Sequence, residues 1–127
     1  MARPSWTYQA SVVSVPASGI VELDIDLGWR IHRRDLVVLA GISVRDPEMD
    51  GADEARRFLA RLLPVGASVT LRSVGIDPVS GRTRGVIFTD GTKHVAHQMV
   101  EEGYALPWGE SSWRRVPEWP RRRIVKR

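Results

Sequence analysis

Apolar and polar positions alternate at the start of the chain. Tyr8, Ala10 and Val12 share one face while Gln9 and Ser11 share the other, which predicts a strand from Tyr8 to Val15 ending at Pro16. Pro16-Ala17-Ser18-Gly19 has turn chemistry, and Ile20 to Asp26 alternates again, so the two segments read as a hairpin. Gly28 to Asp35 reads as a polar, arginine-rich connection. Leu36 to Ile42 is a continuous apolar run, the mark of a buried strand, and Ser43 to Gly51 reads as a loop.

The period then changes. Ala55, Phe58, Leu59, Leu62 and Leu63 recur at helical spacing, with Asp50 as the expected N-cap and Asp53 and Glu54 in the first turn. Pro64 and Gly66 stop the helix. Strands follow over 68–74 and 84–89, separated by the turn Asp77-Pro-Val-Ser-Gly81, and Asp90-Gly91 makes a tight turn. Val95, Met99 and Val100 mark a short helix closed by Gly103. From Leu106 onward Trp, Pro, Gly and Arg dominate, and no regular structure is expected. The chain therefore divides into a folded unit, 1–105, and an extended C-terminal tail, 106–127. Periodicity alone gives a small, mainly β domain with some helix (α+β). The order β-β-β-α-β-β-α narrows it to a five-stranded Greek-key barrel of the OB type with two to three short helices.

Composition and charge add to this picture. At 127 residues and 43% apolar content the chain suits one ordinary core. No apolar run reaches the roughly 18 residues of a membrane helix, so no membrane partner is expected. The first residues lack the apolar stretch of a secretory signal, which points to a cytoplasmic or virion-associated protein. Cysteine is absent, which removes disulfides, thiolate zinc sites and thiol catalysis together. Charge is unevenly placed: residues 1–113 carry net −2, whereas 114–127 carry seven basic residues and one acid. The basic character belongs to the tail, and the body is a poor electrostatic trap for nucleic acid. Only Lys93 and Lys126 among the 19 basic residues are lysine, the codon signature of a GC-rich genome.

An ordered series of short blocks runs through the folded unit. It includes Tyr8-x-Ala10-x-Val12-Val13, Leu39-Ala-Gly-Ile42, Pro47-Glu48, Ala55-x-x-Phe58-Leu59 and Leu63-Pro64-x-Gly66. It continues with Asp77-x-x-x-Gly81-Arg82, Gly85-x-Ile87-x-x-Asp90-Gly91 and Val95 to Ala105. In this series the chain resembles the staphylococcal nuclease (thermonuclease) family. That resemblance implies phosphodiester hydrolysis of DNA or RNA with Ca²⁺. The chemistry needs carboxylates for a hard cation, an oriented water and guanidinium donors for the charged transition state. The family supplies two metal aspartates, a glutamate and two arginines.

Carried over by position, the first metal aspartate falls on Gly19, the first arginine on Val38 and the second aspartate on Ser43. Glu48 matches the family glutamate and Arg82 the second arginine. Asp46, before Pro47, is a weak substitute metal ligand in a shifted register. Losing one such electrostatic group commonly costs about 10²–10³ in rate, so losing three implies a degenerate site. The expectation is a binding module with no cofactor. The alternative is an active Ca²⁺-dependent endonuclease carried by Glu48, Asp46 and Arg82.

Several residues have ordinary readings. Glu48 can be a plain loop acid, and Arg82 can pair with Asp77 or Asp90. His94 and His97 share a helix face but lack a third ligand. His32 reads as surface. Trp29 is expected to pack over the barrel rim, with base stacking as the alternative. The tail is less ordinary. Trp108, Trp113 and Trp119 stand among Arg114, Arg115, Arg121, Arg122 and Arg123, the side chains enriched at binding hot spots. Pro107, Pro117 and Pro120 favour an extended course. This composition implies docking on partner protein chains in a larger assembly, such as a phage particle, with nucleic acid as the second candidate.

Overall fold

The computed structural model describes residues 6–44, 50–90 and 93–107. In chain order these form β1 (Trp6–Ala17), β2 (Ile20–Asp26), β3 (His32–Leu39), β4 (Ile42–Ser43) and α1 (Ala52–Leu62). They continue with β5 (Ser68–Ile76), β6 (Thr83–Thr89), β7 (Lys93–His94), α2 (Val95–Glu101) and β8 (Leu106–Pro107). The order β3-β2-β1-β5-β6 closes on itself, because β3 also pairs with β6 in parallel, Val37 opposite Thr83 and Leu39 opposite Gly85. The result is a closed five-stranded barrel, otherwise antiparallel, with β7 added at the free side of β6. No described helix is long and apolar enough to cross a membrane.

Inward positions alternate along the strands as the pleat requires. Val12, Val21, Leu23, Val37, Leu71 and Ile87 fill the interior. Leu59 and Leu63 from the α1 segment, Met99 from α2 and Tyr104 complete the same core. The Phe58 and Tyr104 rings stack at 4.7 Å between centroids, tying α1 to the turn that follows α2.

Five local expectations need correction. β1 runs through Pro16 to Ala17, and the turn is Ser18-Gly19 alone. Register shifts between Ser14 and Ala17 remove the ladder bond that proline could not donate. The arginine-rich segment from His32 is strand, not connection. It pairs across β2 as Asp24–Arg34 and Asp26–His32, so charge complementarity replaces apolar alternation there. The apolar run 36–42 is broken by Gly41 at φ 83°, a left-handed turn that separates β3 from β4. Leu106–Pro107 is not irregular but pairs with Ile42–Ser43. Finally, Gly51 rather than Asp50 is the N-cap of α1, with no side-chain cap bond.

Candidate functional site

One end of the barrel holds a cleft of about 400 Å³. Its walls come from the β1–β2 turn, Val38 of β3, Val44 just after β4, the start of α1 and the β5–β6 turn. Antiparallel pairing sets Ile20 opposite Val38, and the Leu39 N–H donates to the Gly19 carbonyl at 2.9 Å. The parallel pairing sets Val38 beside Arg84, which brings the β5–β6 turn and Arg82 to the same end. Gly19, Val38 and Arg82 therefore meet in one cleft, although 63 positions separate the first from the last.

The chemistry of that cleft is mostly apolar. Ala17, Ile20, Val38, Val44 and Ala52 form its lining. A Cβ placed on Gly19 would lie 2.8 Å from one Val44 methyl and 3.2 Å from the other. The position expected to carry a metal carboxylate in the family is thus without a side chain and closed over by valine. The spacing of motifs gave no sign of Val44, because an isolated apolar residue in a loop carries no periodic signal.

Four charged side chains reach the lining. Asp53 is held by Arg57 at 2.8 Å and Arg56 at 3.4 Å, within its own helix. Asp77 accepts from the Ser80 hydroxyl at 2.7 Å and the Ser80 N–H at 2.9 Å. Those two bonds, the hydroxyl first, hold its carboxyl below the usual carboxylate range. Backbone bonds from Asp77 to the Arg82 carbonyl (2.7 Å) and from Gly81 to the Asp77 carbonyl (2.8 Å) fix the turn. The Arg82 guanidinium makes no ion pair among the described residues, so it pairs with neither Asp77 nor Asp90 there. Ser43, in β4, pairs with Leu106 and is not among the residues that line this cleft.

These described residues do not fit a calcium ion. Both carboxylates are engaged by their own helix or turn, and valine methyls occupy the space over Gly19. Among the described residues no group of three or more His, Cys, Asp or Glu is placed to hold a metal. Asp46 and Glu48 lie outside the described residues. So do Trp108, Trp113, Arg114, Arg115, Trp119, Arg121, Arg122 and Arg123.

The two helical histidines have separate structural duties. His94 caps α2, its Nδ1 accepting the His97 N–H at 3.2 Å. Burial, then the nearby His97 and Arg72, push its pKa down. His97 instead faces Glu101 at 3.1 Å. His32 pairs with Asp24 at 3.3 Å.

Trp29 overturns its expectation. It does not pack over the rim but stands 95% exposed at the β2–β3 hairpin tip. Gly28, Trp29 and Arg30 all have positive φ, at 83°, 57° and 64°. The Leu27 N–H to Ile31 carbonyl bond closes the tip, and Asp26 Oδ1 accepts the Gly28 N–H. This backbone projects the indole beyond the last β1–β2 pair, Gln9–Asp26.

No protein-family model matches the chain, and no curated protein matches it significantly.

Proposed function

We propose that the chain is a divergent, catalytically degenerate member of the staphylococcal-nuclease-type family, with a barrel of the OB type. It serves as a binding or structural component of a larger assembly, such as a phage particle, in the cytoplasm or the virion. Three things support the family reading. The barrel closes through a parallel β3–β6 pair, and α1 enters between β3 and β5, as the OB order requires. Three of the positions carried over from the family's site, Gly19, Val38 and Arg82, line one cleft. The chain departs from the family where the chemistry would sit, not where the core sits.

The observation that carries the loss of activity is Val44 over Gly19. A cation site cannot form where valine methyls occupy the ligand's place, and affinity for Ca²⁺ follows carboxylate number. Binding then falls to the tail, where Trp113 and Trp119 could each bury about 150–250 Å² against a partner chain. Nucleic acid is the second partner, because Arg114 to Arg127 supply the charge that the body lacks. The competing reading, a Ca²⁺-dependent endonuclease, draws on Arg82, a guanidinium left free for a phosphate among the described residues.

The test is cleavage of single-stranded DNA by the full chain with and without Ca²⁺. No cleavage above buffer is expected. Ca²⁺-stimulated cleavage that Glu48→Gln abolishes overturns the degenerate reading.

A further inference from the structure

A second groove, of about 340 Å³, lies where the strand wall is split along β6. β6 pairs with β3 as far as Gly85 and with β7 from Phe88 onward, so neither strand flanks Val86 on that side. Val86 lies in the groove between two walls. One wall is α2, through Ala96, His97 and Val100. The other is the turn from β3 into β4 together with the end of β8, through Gly41, Ile42 and Pro107.

The lining narrows what can enter. It holds no lysine, arginine or carboxylate, and its titratable groups are His94 and His97. His94 Nδ1 already caps α2, and His97 faces Glu101 at 3.1 Å. A phosphate finds no fixed positive charge there. A flat apolar side chain suits the groove better, since it brings large area and little polar surface to satisfy.

Chain continuity names that side chain. Pro107, a groove residue, is followed at once by Trp108. β4 and β8 pair antiparallel, Leu106 opposite Ser43 and Pro107 opposite Ile42, so one further step of the same register falls opposite Gly41. A Cβ on Gly41 would meet nothing within 4 Å, so the space beside it is open. Gly41 and Ile42, neighbours in sequence, both line the groove, because the left-handed turn at Gly41 (φ 83°) breaks the alternation of faces. Aromatic rings laid across a cross-strand glycine cover gaps of this kind in sheets. A tethered indole also competes at an effective concentration on the order of millimolar, which favours it over a free ligand.

We propose that Trp108 of the same chain occupies this groove, its indole lying over Gly41 and Val86 against α2. The contact anchors the root of the tail to the barrel. It goes beyond the reading above, which gives Trp113 and Trp119 to a partner chain, and it rests on neither that partner nor the degenerate site. A tail that leaves the barrel from a fixed point has less chain to order when it docks.

Nuclear magnetic resonance of the isotope-labelled full chain tests it. Nuclear Overhauser contacts are expected from the Trp108 indole to the methyls of Val86, Ala96 and Val100, identified by their loss in Trp108→Ala. In that variant amide exchange in α2 and at Ile42 and Ser43 should quicken by about tenfold, equivalent to about 1.4 kcal/mol of local stability. Trp108→Phe, which keeps a ring, should restore part of the protection, and it is the variant to measure should Trp108→Ala fail to fold.

An indole without contact to those methyls overturns the proposal, as does unchanged exchange in Trp108→Ala. Contacts to the same methyls from Trp113 or Trp119 overturn it too, because they give the groove to a later part of the tail. Trp108 contacts seen only between labelled and unlabelled chains in a mixed sample would assign the groove to a second copy instead. None of these results bears on Ca²⁺-dependent cleavage, so this proposal and the degenerate-site reading fail separately.

Discussion

The cleft end and the hairpin end of this barrel break the usual arrangement in opposite senses. At the cleft, positions expected to be charged are glycine and valine, packed against one another. At the hairpin, a tryptophan that could be buried is held in solvent by left-handed backbone. Between them the barrel interior is ordinary, with Leu23, Leu71 and Ile87 fully buried. The cleft lining is mostly apolar and the tip carries an exposed indole, while the core between them is ordinarily packed. The core sets the fold, and the two ends set what the barrel can touch.

The largest effect should come from the core beneath α1. Leu59 is fully buried on α1, one turn from Arg56 at the cleft. Leu59→Ala should cost about 2–5 kcal/mol in urea unfolding, since it opens a cavity. It should also loosen the cleft while leaving the hairpin's amide protection unchanged.

Next is the closed ligand position. Gly19→Asp drives a side chain into Val44, so it should destabilise by about 1–3 kcal/mol, the usual cost of overpacking. Val44→Ala in the same chain should recover part of that loss, a coupling that a double-mutant cycle measures. If Gly19→Asp alone proves neutral, the cleft is not closed in the way described, and the contrast between the two ends weakens.

These two residues also show how far the sequence could be read. Gly19, Val38 and Arg82 were assigned to one site by the family resemblance, carried over position by position, and the barrel gathers all three at one cleft. Val44 was invisible to that reading: its effect comes from a close approach between two loops. At the hairpin the failure was of another kind. Residues 32–35 form strand through cross-strand charge pairs, a pattern that apolar alternation cannot detect. The indole of Trp29 was expected to pack over the barrel rim, yet left-handed backbone at 28–30 leaves it in solvent. Gly51 replaced Asp50 as the cap for a related reason, since a left-handed residue can start the helix without a side-chain bond.

A pH dependence tests the helix beside β6. The folded pKa of His94 lies below its ordinary value, so the native state binds fewer protons than the unfolded chain just beneath about pH 6.5. Its contribution is therefore fully present above that pH and is lost as pH falls toward the lowered folded value. Protonation also removes the Nδ1 acceptor that caps α2. Urea midpoints should fall on acidification through this window, and His94→Asn, which keeps a cap acceptor, should flatten the slope.

The smallest expected effect is on the stability of the tip. Trp29→Ala removes an exposed side chain and should change the unfolding free energy by less than about 0.5 kcal/mol. A larger loss would mean that the indole packs against the barrel after all.

Calcium titration of the full chain, followed by calorimetry, tests most directly whether the cleft end can hold a metal ion. With Gly19 closed over by Val44 and both lining carboxylates engaged, no saturable Ca²⁺ binding is expected, in wild type or in Glu48→Gln. Saturable binding in wild type that Glu48→Gln abolishes would contradict the account and restore a metal site to this end of the barrel.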